Sequence, residues 1–435
     1  MYPTPILWFE IGIAVLLGMV FLWTKTEFAL FLYGFALGFP DLALPLGAIV
    51  NVRVDDVLLL IFLGRILLWT PAPLSRSQRS ILLWQAVFFA VCLFSIAVES
   101  AQGTPPAAYD AVKMVGCAAI FLVLPLLIQS ETRLRFFVAG LICAGIALVI
   151  QVQQHLSANG AGAVANFQQF KSAATFDTWN PNTIGQAAIL LVFAAGLGWM
   201  ISSATGARRM IWPCLAIGFA LVPAFVFVRG SSLSIAAGFV LFLCLLRRWR
   251  SLLLFAVVCL CAVLYLNFSQ SRLLEEAATI NVSTGEGFSD RYDRWDMAIQ
   301  AIRNKPIVGQ GFGQELIYLK QIGSEGVAHN DCLSVWLELG LGGLVLFLGA
   351  ILQFIHAGIS LCSTPRFQRQ GALILALMLT LCLDSLAMPT MYWEKLTTIT
   401  LSIAVALIGM CEGDEREISV QEVRALYCEP FEQHS

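Results

Sequence analysis

Long apolar runs recur along almost the whole chain and constrain its fold more than any other feature. A helix that crosses a hydrocarbon core roughly 30 Å thick needs about 20 mostly apolar residues. In lipid the backbone polar groups must be satisfied internally, which favours helices. With 58% hydrophobic and only 12% charged residues, the sequence predicts an all-α polytopic membrane protein. The runs lie near residues 6–23, 27–46, 55–70, 81–98, 110–129, 135–153, 182–203, 210–228, 231–246, 251–268, 332–361, 370–388 and 394–411.

These runs correspond to about 12–13 transmembrane helices. The count is least certain at 27–56, where Pro40, Pro45 and a polar NVRVDD segment interrupt the apolar pattern. The first run has no basic segment before it and no small-residue cleavage site, so we expect a retained helix. The cysteines form no CxxC pair, and the sequence therefore indicates neither a metal site nor a disulfide framework.

The positions of the arginines predict which loops face the cytoplasm, because short cytoplasmic loops are enriched in Arg and Lys. Every second loop is basic, which makes the loops between them outward-facing. The outward-facing loops would be 99–109, 154–181, the turn at Arg229, 269–330 and 389–393. The arginines of the basic loops are Arg76, Arg79, Arg133, Arg135, Arg208, Arg209, Arg247, Arg248, Arg250, Arg366 and Arg369.

The pattern divides the chain into four parts. We expect an N-terminal bundle of about 9–10 spans at 1–268, a large periplasmic loop at 269–330, C-terminal transmembrane helices at 331–411 and an acidic cytoplasmic tail at 412–435. One large loop thus separates the last three spans from the others. Chemistry on this loop would take place outside the inner membrane, away from ATP and nucleotide sugars.

Residues 286–343 carry most of the polar chemistry in the chain. His329 follows the arginine-bearing part of this segment, and an imidazole exchanges protons near neutral pH. It is a candidate catalytic residue, although a lone histidine is often structural. Arg291 and Arg294 are three residues apart and share a helix face, where they would bind a diphosphate or simply belong to a solvated amphipathic helix. Trp295 would dock that helix on the membrane surface.

Arg229 precedes Gly230, Ser231 and Ser232 at the start of an apolar run. A guanidinium beside a helix N-terminus suits a phosphate, while the alternative is a cation that extends to the lipid headgroups. Asn180 and Asn182 flank a proline at another helix start and would cap it or bind substrate.

Two further residues near His329 are candidates for a supporting role. Asn330 follows the histidine directly, and Glu338 lies within the next apolar run. A carboxylate inside a membrane is costly unless paired, so we expect an Arg or His partner for Glu338. Three nearby glycines, Gly340, Gly342 and Gly343, would let helices approach closely.

The spacing of these residues resembles the bacterial O-antigen ligase and polymerase superfamily. The pattern is R-x2-RW-x2-A-x7-P-x2-G-x-G-x-G followed by AHN-x2-L-x4-E-x-G-x2-G. It is carried here by Arg291, Arg294, Trp295, Ala298, Pro306, Gly309, Gly311, Gly313, Ala328, His329, Asn330, Leu333, Glu338, Gly340 and Gly343. Arg229 in VRGSS resembles the arginine that the family carries at the outer end of a mid-chain helix.

The resemblance implies an inverting glycosyltransferase of the bacterial inner membrane that acts at its periplasmic face. The donor would be a glycan on undecaprenyl diphosphate, without nucleotide, metal or other cofactor. His329 would be the catalytic residue, as general base or as a contact to the leaving group. Arg229, Arg291 and Arg294 would bind the diphosphate, and Asn180, Asn182, Asn330 and Glu338 would support the site. The lipid tail would lie between helices, beside the outer ends of the runs that start at 231 and 332.

Several functions remain open within and beyond this resemblance. A ligase would use lipid A–core as the acceptor, and a polymerase would use a growing polysaccharide; the sequence favours the ligase slightly. A lipid transporter predicts internal repeats, and none is evident. A non-enzymatic partner in polysaccharide assembly would not need His329. The formal net charge of −2 gives no reason to expect nucleic acid, and GQGFGQE lacks the context of a nucleotide fingerprint.

Overall fold

The computed structural model describes most of the chain. The described residues are 25–37, 43–46, 50–53, 58–59, 61–64, 73–101, 108–164, 181–202, 205–225, 228–257, 289–324, 326–386 and 394–428.

Helices account for nearly all of the described secondary structure. They are α1 (Thr26–Ala36), α2 (Arg76–Ala101), α3 (Ala108–Leu127), α4 (Glu131–Val164), α5 (Pro181–Ile201), α6 (Ile211–Phe225), α7 (Arg229–Leu245), α8 (Ser289–Asn304), α9 (Glu315–Gln321), α10 (Asp331–Ser363), α11 (Gln368–Ser385) and α12 (Lys395–Cys428). A short 3₁₀ helix, Gly206–Met210, precedes α6, and residues 61–64 and 249–257 are also helical.

The predicted class, an all-α polytopic membrane protein, is confirmed. Within the described residues, five helices are long and apolar enough to cross a membrane: Arg76–Glu99, Glu131–Gln154, Thr183–Ile201, Asp331–Ser363 and Lys395–Glu415. Three shorter apolar helices accompany them, at Thr26–Ala36, Ala111–Leu127 and Gly230–Leu245. Because the predicted run at 6–23 and the part of the predicted run 251–268 after residue 257 lie outside the described residues, the total of 12–13 spans stays a prediction.

The apolar run at 27–46 is not a single spanning helix, and that part of the prediction is wrong. Helix α1 ends at Ala36, and strands β1 (Ala43–Leu46) and β2 (Val50–Arg53) then pair as an antiparallel hairpin. Pro45 lies opposite Asn51 in this hairpin. Proline has no N–H donor and clashes with the preceding turn of a helix, so two prolines in this run favour a break over a continuous span.

Two helices continue beyond the apolar runs that predicted them. Helix α4 extends to Val164, so the first part of the segment predicted as an outer loop at 154–181 is helical. Helix α12 extends to Cys428 and includes most of the predicted acidic tail. Polar residues can continue a helix into water once its apolar part has been packed.

Contacts between helix ends define two ends of the bundle. At one end, Gln368 Nε2 donates to Leu245 O over 3.4 Å, the guanidinium of Arg366 lies 3.6 Å from Asp414, and Ser77 N donates to Glu412. These contacts join segments that carry the basic loops, and we call this the arginine end. At the other end, the backbone N–H of Phe312 donates to Ser95 Oγ over 2.9 Å. Helices α2 and α10 connect the two ends.

The main core lies between the helices and is built from close packing of aliphatic and aromatic side chains. Phe88 packs on Phe347, and Phe121 on Phe354, with ring centroids 6.0 and 6.4 Å apart. A second, smaller core lies under α8 and α9. It contains Ala298, Ala301, Ile302, Leu319, Ala328 and Leu337, with Trp295 packed against them. This small core fixes the segment that carries His329.

Candidate functional site

Helix α10 is interrupted at Gly340, and the interruption receives the turn that follows α8. Gly340 has φ 67° and ψ −168°, which is not helical. The carbonyls of Leu337 and Glu338 accept instead from the backbone N–H groups of Gln310 and Gly311, over 2.7 and 2.9 Å. The N–H of Leu341 donates to Pro306 O over 2.9 Å. All three backbone groups beside the break are thus satisfied, as buried backbone requires.

This close approach explains two of the glycines in the family-like pattern. A Cβ on Gly340 would overlap the carbonyl of Ile307, and a Cβ on Gly309 would overlap the carbonyl of Glu338. Both glycines also have positive φ angles, 67° and 78°, which residues with a Cβ rarely adopt. Gly340 therefore serves the docking of a turn rather than the packing of two helices. In the part of the chain that is described, the GQGFGQE sequence is a docking turn.

The carboxylate of Glu338 lies next to the same turn. Its Oε1 accepts hydrogen bonds from the backbone N–H groups of Gly313 and Glu315, over 3.0 and 3.3 Å. Gly313 lies just before α9 and Glu315 is its first residue. Their N–H groups therefore have no hydrogen-bond partner within the helix. The sequence predicted an Arg or His partner for Glu338 and missed these backbone donors. Glu338 is thus a structural anchor that ties α9 to α10.

The peptide group before His329 is held from both sides. The Ala328 N–H donates to Glu315 Oε1 over 2.7 Å, and the indole N–H of Trp295 donates to the Ala328 carbonyl over 2.8 Å. Ala328 is fully buried, and Glu315 is 4% exposed. The Trp295 ring packs against the small core and its N–H bonds to the histidine loop. Docking of α8 on the membrane surface through Trp295 and Ile299 stays a prediction.

His329 has a backbone conformation that residues with a side chain seldom adopt. Its φ is +52°, in the left-handed region that costs about 1–3 kcal/mol for non-glycine residues. Asn330 follows it as the N-cap of α10, and its side-chain oxygen accepts from the N–H of Leu333 over 3.2 Å. The residues before and after His329 are therefore both fixed by hydrogen bonds, and the unfavourable backbone conformation is confined to the histidine itself. Its side chain is partly exposed.

Burial raises the pKa of the Glu315 carboxyl, while its hydrogen bond from the Ala328 N–H acts in the opposite direction. The charged form loses solvation in a site of low dielectric. The Glu315 carboxyl can accept the hydrogen bond from the Ala328 N–H in its neutral or its charged form. Its role here is therefore to hold the histidine loop in position.

Arg291 and Arg294 lie on α8 and are both partly buried. Partial burial, followed by the positive charge of Arg294, lowers the pKa of Arg291. The Arg294 guanidinium lies against Gly326, since a Cβ built there would be 3.1 Å from its Nη1. Across the described residues, no carboxylate forms an ion pair with either side chain. Two neighbouring guanidinium groups suit an anion, and that of Arg294 lies beside Gly326, three residues before His329.

The described structure places the remaining predicted site residues less completely. Arg229 is the first residue of α7, and Asn182 lies in the first turn of α5; their side chains lie outside the described part, as does the whole of Asn180. Close by, the buried Ser231 hydroxyl donates to Asp384 Oδ1 over 2.7 Å, and Gly185 packs on Ser231. The starts of α5 and α7 and the end of α11 therefore meet.

Helix α11 brings this meeting point towards the start of α10. Helix α11 packs against both α7 and α10, and Asp331 begins α10 two residues after His329. The sequence analysis did not select Ser231, Asp384, Glu315 or the bonding role of Trp295. Within the described ranges, no group of three or more His, Cys, Asp or Glu side chains could hold a metal ion.

Comparison with known protein families finds a match over the part of the chain that contains most of the candidate site residues. Residues 214–348 match the family model described as O-antigen ligase, a range that contains Arg229, Arg291, Arg294, His329, Asn330 and Glu338. No curated protein matches the sequence significantly. The matched range begins in α6 and ends within α10, after the break at Gly340. Residues 214–348 are thus similar to the O-antigen ligase family, and this similarity supports the resemblance of the chain to the O-antigen ligase and polymerase superfamily.

Proposed function

We propose that this protein transfers a glycan from undecaprenyl diphosphate to an acceptor hydroxyl at the periplasmic face of the bacterial inner membrane. The observation that supports the proposal is the double hold on Ala328, the residue before His329, by Glu315 and by Trp295, which is the neighbour of Arg294 on α8. The O-antigen ligase match over residues 214–348 supports the reaction class. Lipid A–core is the proposed acceptor, and a growing repeat-unit chain is the alternative, which would make the protein a polymerase.

The reaction is a displacement at the anomeric carbon of the donor sugar. The acceptor oxygen forms a new bond to that carbon, and the bond from carbon to the phosphate oxygen breaks with its electron pair going to the diphosphate. Attack from the opposite face inverts the configuration. The acceptor proton passes to His329, which acts as the general base in this proposal. The activated phosphate ester supplies the driving force, and the resemblance implies no metal.

The arginines act on the leaving group. Negative charge builds on the diphosphate as the sugar departs, and preorganised cations stabilise that charge. Arg291 and Arg294 repel one another in the absence of an anion, so a bound diphosphate relieves a cost that the protein already carries. Arg229, at the start of α7, is proposed as the third cation.

The orientation of the site is proposed from the distribution of arginines. The contacts at the arginine end join segments with basic loops, and such loops favour the cytoplasm. Phe312 and the turn that docks on α10 lie at the other end. These observations support the proposal that the His329 loop lies outside the cytoplasm, on the side where the lipid-linked donor would be available.

The test uses purified full-length protein with a labelled undecaprenyl-diphosphate glycan, in EDTA. Wild type is supplied either with lipid A–core or with a second lipid-linked repeat unit, and the accepted one distinguishes ligase from polymerase. His329→Ala is expected to lower transfer by about 10²–10⁴-fold, the usual contribution of a positioned base. His356→Ala, in the distant half of α10, is the matched control. Wild-type activity in His329→Ala would refute the proposed catalytic residue.

A further inference from the structure

A cavity of about 440 Å³ lies between α5, α6, α7 and α11. Its walls are mostly apolar and include Phe193, Trp212, Phe239, Phe242 and Leu377. Arg248 lines it as well. Its lining reaches Leu246 and Arg248 at the arginine end of the bundle, where Leu245 accepts from Gln368.

The depth of the cavity matches one leaflet of a bilayer. Along α7 its lining extends from Leu246 to Ile235, a rise of about 16 Å at roughly 1.5 Å per residue. Half of a hydrocarbon core of roughly 30 Å is about 15 Å. A fatty acyl chain of a membrane phospholipid has this reach, whereas a polyprenyl chain is far longer than one leaflet.

Three guanidinium groups gather where the cavity reaches the arginine end. Trp199 lines the cavity, and its ring is contacted by Arg209 and Arg369, whose Cζ atoms lie 5.0 and 5.6 Å from the centroid. Arg248 contributes the third guanidinium. Tryptophan at this depth is typical of the boundary between headgroups and hydrocarbon.

No carboxylate among the described residues forms an ion pair with these three arginines. The Nε of Arg209 is buried and has no hydrogen-bond partner among the described residues. Over the same part of the chain, none of Arg209, Arg248 and Arg369 forms an ion pair, whereas nearby Arg366 lies 3.6 Å from Asp414. Two cations on one indole ring repel each other, and an anion between them would offset that repulsion.

The chain turns sharply to bring Arg248 to this place. Arg247 has φ +52°, an unfavourable conformation for a residue with a Cβ. Its N–H donates to Cys244 O and the N–H of Arg248 to Leu243 O, both over 2.9 Å. This pair of bonds is a Schellman C-cap, which usually has glycine at the left-handed position. Arg247 occupies this left-handed position at a cost in backbone energy.

We propose that this cavity binds an anionic phospholipid of the leaflet at the arginine end. One acyl chain fills the cavity, and the phosphate accepts hydrogen bonds from Arg209, Arg248 and Arg369. Basic pockets between membrane helices bind anionic headgroups in this way. The apolar cavity favours the acyl chain of a lipid, and the guanidinium groups without a carboxylate partner favour a negatively charged headgroup. The inference does not depend on the glycosyl transfer proposed above.

The first experiment compares lipid binding to the full-length protein after removal of native lipid in neutral detergent. Dioleoylphosphatidylglycerol and dioleoylphosphatidylcholine are titrated, and bound lipid is counted by native mass spectrometry. The anionic lipid is expected to bind more tightly, by on the order of fivefold for each arginine that contacts it. The triple variant R209Q/R248Q/R369Q is expected to lose this preference, and Arg366→Gln, whose charge is already paired, is expected to retain it.

A second experiment tests the apolar half of the site. Ala216→Phe places a ring in the cavity and is expected to weaken phosphatidylglycerol binding with the arginines intact. A chain-length series on wild type, from dihexanoyl to dioleoyl phosphatidylglycerol, makes the same test without a variant and is expected to show tighter binding with longer chains. Equal binding of both headgroups, equal binding of glycerol phosphate alone, or selective binding of a polyprenyl phosphate would overturn the proposal.

Discussion

The carboxylate of Glu315 accepts a 2.7 Å hydrogen bond from the backbone N–H of Ala328, the residue before His329. Glu315 begins α9, whose start is itself tied to α10 by the Glu338 carboxylate. A chain of backbone-directed bonds therefore connects the membrane helix to the histidine loop. Substitutions of Glu315 are therefore expected to alter the position of His329 indirectly, through these hydrogen bonds.

The two variants Glu315→Gln and Glu315→Ala separate the charge of this residue from its hydrogen bond. Glutamine keeps an acceptor for the Ala328 N–H, so the loop and the glycan transfer are expected to persist. Alanine leaves a buried N–H without a partner, at a cost of about 1–3 kcal/mol, and is expected to lower kcat. Thermal unfolding and transfer assays on the purified proteins measure both effects. Equal activity of the two variants would contradict the placing role.

Glu315 also predicts a pH dependence of stability. Because burial raises its pKa in the folded protein, folding favours the protonated carboxyl. The stability contributed by that proton is fully present below the ordinary glutamate pKa and is lost as the pH rises through the raised pKa. Glu315→Gln is therefore expected to flatten this part of the dependence of Tm on pH. A wild-type profile in Glu315→Gln would assign the dependence to other groups.

Trp295→Phe removes one hydrogen bond and keeps an aromatic ring in the small core. The lost bond joins the indole N–H to the Ala328 carbonyl over 2.8 Å. We expect a stability loss of about 1 kcal/mol and a lower kcat, because a small displacement of a catalytic group reduces rate strongly. Transfer kinetics with saturating donor measure the effect. An unchanged kcat would mean that Glu315 alone holds the loop.

The arginine pair on α8 is tested against a third arginine on the same helix. Arg291→Ala and Arg294→Ala are each expected to lower kcat/KM for the donor by on the order of 10²-fold, through loss of charge stabilisation on the diphosphate. Arg303→Ala removes an exposed guanidinium from the last turn of α8 and is expected to have little effect. If all three variants behave alike, the effect is one of net charge and not of a binding site.

Two neighbouring glycines in α10 are expected to respond oppositely to alanine. Gly340→Ala places a Cβ on the Ile307 carbonyl at a positive φ, and should destabilise the protein by at least about 2 kcal/mol. A Cβ on Gly342 meets nothing within 4 Å, so Gly342→Ala should be neutral or slightly stabilising because alanine favours helix. Detergent-based thermal unfolding compares them. Similar losses would show that the break at Gly340 is not required.

Hydropathy predicted most of the fold because the length of an apolar run is a direct physical requirement for crossing lipid. It failed at 27–46, where prolines terminate a helix within an otherwise apolar stretch and a hairpin follows. Apolar composition alone cannot distinguish a strand from a span there. The extensions of α4 and α12 were missed for a related reason, since polar helix outside the membrane carries no hydropathy signal.

The site was predictable where it depends on charged side chains and poorly predictable where it depends on the backbone. The arginines of α8 and His329 were selected from their chemistry and spacing. Glu315 was not, because its partner is the N–H of Ala328, and any residue but proline supplies an N–H. Glu338 was selected for its charge, but its two backbone donors, the N–H groups of Gly313 and Glu315, were not expected.

The bonds that place the histidine loop have a practical consequence for mutational scanning. The hydrogen bonds described for Glu338, Glu315 and Trp295 go to main-chain atoms. The turn at 306–311 docks on α10 through three backbone–backbone hydrogen bonds, to which the indole N–H of Trp336 adds one to Pro306 O. Replacing side chains by alanine leaves those atoms in place. A scan of 306–328 would thus report only the side-chain member of each bond, and much of this segment would look tolerant. Backbone amide-to-ester substitution, which deletes a single N–H, would reveal the framework that such a scan overlooks.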